Sequence, residues 1–371
     1  MKSPAPSGLS RALLLALGAL GAGCGGSSGP ASQPSPAQPL PSPTPSGGPM
    51  ASGFTHKALT HVSWSHDEYL GGDAIDARRA LVTTHANWAG VLATWYMDRR
   101  DSNAIAPDSS QTPTDAAVVH AIQDFHDLGL RVMLKPHVDV KDGSWRGTIR
   151  PTDTAAWFAS YDGFLSHYAA LAQENGVELL DVGTELVTMT DFRNASSWDA
   201  VIGHARSRFR GPLTYSANAN AAGDEFTSVS FWSLLDLAGL DVYPPLTNHA
   251  NPTPEELIQA WSSNVNGDNM LAAYRNWQAG HGKPVLFTEI GYRSMAGANR
   301  APWDFSVQGP ADDAEQANCY DAAFAVWSRE SAWLKGMFWW AWPAGAPGPG
   351  DTDYTPRGKP AEDVLQRWYA L

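Results

Sequence analysis

From residue 54 to residue 371 the apolar positions alternate between two rhythms. A short, nearly continuous apolar run is followed by a polar loop, and then by a segment whose apolar residues recur at intervals of three and four. The runs predict eight strands, at 58–64, 88–95, 130–137, 177–185, 212–217, 238–243, 284–289 and 336–342. Two helix starts are legible between them. Thr112-Pro113-Thr114-Asp115 and Thr253-Pro254-Glu255-Glu256 each offer a hydroxyl as N-cap, Pro at the first helical position and an acid at the third. After the first, Val118, Ile122, Phe125 and Leu128 form an apolar stripe and Gly129 supplies a stop. Eight strand-and-helix units spread over 318 residues, about 40 residues each, predict an α/β fold of the (β/α)8 type with enlarged loops. An open doubly wound sheet is the competing arrangement, but no Gly-rich nucleotide loop follows any of the runs.

The amino end has a different grammar. Lys2 and Arg11 precede Ala12 to Ala22, an apolar run too short to span a bilayer as a helix, which reads as the core of a signal peptide. Gly21-Ala22-Gly23-Cys24 then resembles a bacterial lipoprotein processing site, with Cys24 the lipidated residue and 1–23 the leader. Gly21 stands where Leu is usual, so cleavage by the ordinary signal peptidase stays open. Residues 25–53 hold 24 Gly, Ser, Pro or Ala out of 29, a composition that buries no core, and 24–53 is expected to be a disordered tether. The expected location is the cell envelope, with the lipid holding the chain to a membrane. Gly25 lacks the charge of an inner-membrane retention signal and points to the outer membrane or cell surface. Residues 54–371 form one domain, expected to be monomeric.

Charge narrows the partners. Twenty-five basic residues face 38 acidic ones, a net −13, which argues against a nucleic-acid partner and suits an uncharged substrate. With Cys24 lipidated only Cys319 remains, so no internal disulfide framework is available. Sixteen tryptophans are more than a core of this size needs, which suggests a flat, amphipathic ligand.

In a (β/α)8 barrel the chemistry sits at the carboxyl ends of the strands. The fourth run ends in Gly183-Thr184-Glu185 and the seventh in Phe287-Thr288-Glu289. Either glutamate alone reads as a strand-end carboxylate paired with a basic neighbour. Two of them, three strands apart in a ring of eight, can converge over the barrel mouth. Two carboxyls about 5 to 5.5 Å apart are what a retaining glycosidase uses. Lys135, His137 and Asp139 share one face of the third run and are read as partners for sugar hydroxyls. His137 with Asp139 as metal ligands, or Lys135 as a Schiff-base lysine, are the alternatives; the first run lacks a His-x-His pair, and no phosphate loop accompanies the last two runs. Tyr243 ends the sixth run next to the seventh, where its phenol can donate to Glu289 and keep it ionised, or simply complete the core. Asn218 and Asn220 either meet substrate or shape the turn after the fifth run.

The tryptophans divide by position. Trp157, Trp261, Trp277, Trp327, Trp333 and Trp368 lie in helical segments and are read as packing. Trp64, Trp95, Trp145, Trp303, Trp340 and Trp342 stand at strand ends or in loops, where an aromatic plane can cover the apolar face of a pyranose.

Taken together, Leu134-Lys135-Pro136-His137, Trp145-Arg146-Gly147, Gly183-Thr184-Glu185-Leu186, Thr214-Tyr215-Ser216-Ala217-Asn218, Phe287-Thr288-Glu289-Ile290-Gly291-Tyr292, Phe338-Trp339-Trp340 and Pro356-Arg357-Gly358-Lys359-Pro360 make the chain resemble glycoside hydrolases of clan A. The resemblance is strongest to family 113, the β-1,4-mannanase-type barrels, and covers residues 60–368. It implies a retaining hydrolase of β-linked polysaccharide, most readily mannan, with Glu185 as acid/base and Glu289 as nucleophile and with no metal or organic cofactor. Many clan members carry Asn directly before the acid/base, where Thr184 stands here, so Asn218 or a water is expected to replace that contact with the sugar 2-hydroxyl. The same mechanism acting on xylan or β-glucan, and a non-catalytic glycan-binding lipoprotein, are the rival readings.

Overall fold

Eight strands pair in parallel, in chain order, and the last closes on the first. They are β1 (His56–Val62), β2 (Trp88–Met97), β3 (Arg131–Val140), β4 (Leu179–Thr184), β5 (Leu213–Asn218), β6 (Ala238–Val242), β7 (Val285–Ile290) and β8 (Leu334–Pro343). This computed structural model describes residues 53–370, so the expected leader, the lipidation site at Cys24 and all but the last residue of the tether lie outside the described residues. Pairing of Ala58 with Phe338 joins β8 to β1 and makes the sheet a closed (β/α)8 ring, which disposes of the open-sheet alternative.

The helical layer holds α1 (Gly72–Val82), α2 (Asp115–Asp127), α3 (Thr154–Glu174), α4 (Ala195–Arg208), α5 (Pro254–Ala260), α6 (Met270–His281), α7 (Asp313–Trp327) and α8 (Pro360–Tyr369). The strand-and-helix alternation is uneven on one side. Between β5 and β6 the chain makes only two 3-10 turns, and between β6 and β7 it makes two helices. Aromatic rings cover the sheet where the helix is missing: Phe231 stacks on Trp198 with centroids 4.6 Å apart, and Trp232 meets Trp277 edge-on at 5.5 Å.

Of the two expected helix starts, one stands as read. Thr253 caps α5 through a reciprocal pair, accepting from Glu256 N at 3.2 Å while Glu256 Oε2 accepts from Thr253 N at 2.8 Å, with Pro254 at the first position. The other begins two residues late. Thr114, not Thr112, caps α2 and accepts from Ala117 N at 3.1 Å, because the Thr112 hydroxyl is spent on Thr94 O of β2 at 2.6 Å. Gly129, at φ 82°, supplies the stop.

Inside the ring, side chains stack in layers. Ala58, Trp88, Met133, Leu179, Leu286 and Phe338 plug the floor. Above them lies a polar layer containing Thr60, Lys135, Asp181, Asp241 and Thr288, all fully buried. The ladder between β7 and β8 is shifted at two places, and three further register shifts bear on what faces this interior. Asp241 pairs with Glu289 although Leu240 pairs with Phe287, so β7 carries one extra residue and turns both Thr288 and Glu289 inward. A second shift lies between Asp181 and Thr184, just before Glu185. The third lies on β8 opposite Thr60, where Trp340 and Ala341 both fit against the barrel interior and Trp342 is thrown outward.

Candidate active site

At the end of β4 the backbone turns left-handed at Glu185, φ 49°, with its N–H donating to Ser216 O on β5 at 2.8 Å. A non-glycine residue in that region is uncommon and must be held there by its surroundings. The turn lays the carboxyl over the ring. Its Oε1 accepts from Asn218 Nδ2 at 3.0 Å, and its Oε2 accepts from Trp145 Nε1 and from Arg146 Nη1, each at 3.3 Å. Trp145 can lie flat beside it because residue 147 is glycine: a Cβ there would stand 2.5 to 2.7 Å from the indole.

Glu289, brought inward by the β7 bulge, has different company. Its Oε1 accepts from Lys135 Nζ at 2.6 Å and its Oε2 accepts from Tyr243 Oη at 2.8 Å. The ammonium is shared with Asp241, at 3.1 and 3.2 Å, and Thr288 Oγ1 donates to the same Asp241 at 2.8 Å. His137 Nε2 stands 3.7 Å from Glu289 Oε1 and has no hydrogen-bond partner, although it is buried. Its ring is parallel to Trp340, with centroids 6.1 Å apart, and Trp64 meets Trp340 edge-on at 6.2 Å. Together they make an aromatic wall beside a buried polar atom that no protein group satisfies.

The electrostatics separate the two glutamates. Burial raises the Glu185 carboxyl above its ordinary value, and the charge of Glu289 raises it further against the pull of Arg146. Glu289 is instead bound by a cation and a phenol donor. Lys135 pays for its burial through Asp241, Glu289 and Asp181, whose charges outweigh desolvation and keep it protonated. Burial lifts Asp181 to about 6 and Asp241 well above the carboxylate range, while burial beside Arg146 and Lys135 holds His137 neutral. One carboxyl is thus pushed toward its protonated form by burial, while the other sits against an ammonium and a phenol, an arrangement suited to acid catalysis next to nucleophilic attack. No group of three or more His, Cys, Asp or Glu among the described residues is arranged to hold a metal.

The sequence pattern of Glycoside Hydrolase Family 113 matches residues 61–359, most of the described chain. The chain belongs to glycoside hydrolase family 113. Among solved structures, this family 113 glycoside hydrolase is similar to the β-mannanase AaManA of Alicyclobacillus acidocaldarius, solved in complex with ManMIm. The two share 30% identity over 85% of this chain and 97% of that one, with a TM-score of 0.76. It is also similar to a family 113 β-1,4-mannanase solved as a complex, at 25% identity over 86% of this chain and 99% of that one, with a TM-score of 0.75. A β-glucuronidase of Ruminococcus gnavus shares the fold alone, at 15% identity over 85% of this chain and 50% of that one, with a TM-score of 0.56. No curated protein sequence matches the chain.

Of the residues singled out in the sequence, Glu185, Glu289, Lys135, His137, Trp145, Asn218, Tyr243, Trp64 and Trp340 gather at one end of this family 113 barrel. Two do not. Trp95 lies on the outward face of β2, since Thr94 and Tyr96 take the inward positions, and it packs against Phe164, His167 and Tyr168 of α3. Trp342, fully buried, donates its Nε1 to Ala77 O of α1 at 2.8 Å, because the β8 bulge puts it on the face opposite Trp340. Neither presents a ring to a sugar. Lys135 is too deeply buried to reach a hydroxyl, and its place is beneath Glu289. Thr184 is buried too and leans on Asp181 at 3.4 Å, away from the mouth. Asn220 serves the backbone: its N–H donates to Asp224 Oδ2 at 2.7 Å within the turn, and its Oδ1 accepts from Tyr243 N at the end of β6 at 2.6 Å.

Sequence reasoning overlooked four charged residues. Arg146 joins Asp139, at 2.6 and 3.0 Å, to Glu185. Asp181 and Asp241 surround Lys135. Glu225, buried behind the site, accepts from Tyr215 Oη at 2.6 Å, Asn218 N at 2.8 Å and Thr190 Oγ1 at 3.0 Å. Tyr215 Oη in turn accepts from Leu186 N at 2.8 Å, so one carboxyl braces both backbone segments that hold Glu185. Period-two alternation gives a signal for Asp181 and Asp241 as inward positions; a loop residue such as Glu225 has none.

Proposed function

We propose that this family 113 glycoside hydrolase is a retaining endo-β-1,4-mannanase. Glu289 attacks the anomeric carbon while Glu185 delivers its proton to the leaving glycosidic oxygen. The glycosyl-enzyme ester is then hydrolysed by a water that gives its proton to Glu185, so the sugar leaves with its original anomeric configuration. Lys135 and Tyr243 each donate a hydrogen bond to the attacking carboxylate and fix its orientation. Asn218, Trp145 and Arg146 hold the proton donor at the correct edge. The neutral His137 and the wall of Trp340 and Trp64 receive the hydroxyls and the apolar face of a pyranose. The observation that carries the reading is the opposed environment of the two glutamates at the ends of β4 and β7, one raised by burial and the other tied to an ammonium and a phenol. Similarity to two β-mannanases supports mannan as the substrate.

The test follows product configuration by NMR during hydrolysis of β-mannan, xylan and mixed-linkage β-glucan, with Glu185→Gln and Glu289→Gln beside the wild type. Retention on mannan is expected, with each variant slower by at least about 10²-fold. Inversion, preference for another glycan, or full activity in either variant overturns the proposal.

A further inference from the structure

Among the described residues, nine large apolar side chains are strongly exposed, and three of them stand at alternate positions of one loop: Trp303 at 47%, Phe305 at 43% and Val307 at 42%. The loop runs from β7, just past Glu289, to α7. It is tied down along its length. Met295 and Ala311 bridge its base in antiparallel fashion. The buried Arg293 donates to Phe305 O at 3.1 Å, to Val307 O, and to Thr352 O at 3.0 Å. Asp304 Oδ1 accepts from Ser306 N at 2.9 Å, and Tyr354 Oη donates to Pro302 O at 2.5 Å. A loop fixed in this way has already lost its conformational freedom, so the three side chains are not exposed for want of restraint.

Tyr354 also links the loop to the reaction centre. Its ring meets that of Tyr243 edge-on, with centroids 6.4 Å apart, and Tyr243 donates to Glu289. Against the loop lies a cleft of about 330 Å³, in which Met295, Pro302 and Val307 offer apolar surface and Arg300, Asp304 and Gln308 offer polar groups. Flat apolar surface beside a few polar side chains is the composition that receives a sugar, whose ring face is apolar and whose rim is hydroxyl. The loop leaves the carboxyl end of β7, the same end of the barrel that carries Glu289, and that position selects the occupant.

We infer that Trp303 and Phe305, with the Arg300–Asp304–Gln308 cleft beside them, bind sugar units of the same β-linked glycan, remote from the bond that is cleaved. This rests on the hydrolase reading of Glu185 and Glu289. The platform holds the polymer on the Glu289 side of the mouth, and short oligosaccharides that fill only the centre never reach it.

The experiment compares the full wild-type chain with Trp303→Ala/Phe305→Ala and with Trp303→Phe. Kinetics are measured on mannan and on a mannotrioside, and gel retardation is measured in soluble mannan, xylan and β-glucan. The double variant is expected to raise KM on mannan by about 10-fold or more, leave mannotrioside kinetics unchanged and lose retardation, whereas Trp303→Phe keeps most of both. Equal effects on long and short substrates, unchanged retardation, or a loss of self-association without a glycan effect overturns the inference. Should the wild type hydrolyse none of the three glycans, the hydrolase reading fails by itself. Retardation that is lost in the double variant then still supports the platform, and absence of retardation by all three rejects it.

Discussion

Lys135→Met tests the centre of the site. Lys135 is fully buried, and its ammonium lies 2.6 Å from Glu289 Oε1 and 3.1 to 3.2 Å from both oxygens of Asp241. Methionine fills similar space without charge. At an effective dielectric constant of about 20, unit charges at the Lys135–Glu289 separation attract by about 6 kcal/mol, or more than about 10⁴-fold in the protonation equilibrium of the carboxylate. Water entering the void and the retained Tyr243 hydrogen bond restore about half of this, leaving about 100-fold, equivalent to about 2 pH units. The sign is fixed by the role of the group. Glu289 works as an anion and Lys135 favours the anion, so without the cation the acidic limb of kcat/KM on β-mannan moves to higher pH by about 2 units. Stability follows the same direction. Asp181 and Asp241, already raised by burial, are left without their neighbouring cation, bind protons more tightly in the folded than in the unfolded chain, and lose that advantage as pH rises. The melting-temperature deficit of the variant should therefore widen from about pH 5 to about pH 8. An acidic limb within about 0.3 pH unit of the wild type, in a variant of native circular dichroism, refutes the assignment of Lys135 as the counter-charge of Glu289.

Glu225→Ala leaves the donors of Tyr215, Thr190 and Asn218 without an acceptor and loosens the support of Glu185. For mannan, kcat/KM should fall by about 10- to 100-fold, while kcat/KM on a dinitrophenyl β-mannobioside, whose leaving group needs no proton in the first step, changes by less than about 3-fold; equal losses in kcat/KM on both show that Glu225 does not act through the acid. Trp340→Ala and Trp342→Ala should separate binding from packing. The first raises KM about 10-fold with little effect on denaturant midpoint, and the second costs about 3 to 5 kcal/mol of stability with KM unchanged. The reverse pattern in urea melts and Michaelis kinetics contradicts the facing given to the two rings.

Much of this architecture was legible because a buried strand needs a continuous apolar run, and all eight runs became strands. Glu185 and Glu289 were legible because a charged residue that ends such a run is conspicuous. The missing helix between β5 and β6 was not, since rings such as Phe231 and Trp232 cover a sheet without leaving a helical period. The face of Trp342 was misjudged for a related reason: alternation assumes even pairing, and one surplus residue on β8 reverses every position after it. Arg146 and Glu225 act across the fold, joining segments whose proximity exists only after the ring has closed.

The uneven pairing has a consequence for anyone who would remake this protein. Shifts occur between β4 and β5, between β6 and β7, between β7 and β8, and between β8 and β1, while the ladders joining β1 to β2, β2 to β3 and β5 to β6 run without interruption. A designer who regularised every ladder would obtain a tidier cylinder with its glutamates rotated into the wall. Chemistry here is written in the errors of the weave, and stabilising substitutions are best confined to the strands that have none.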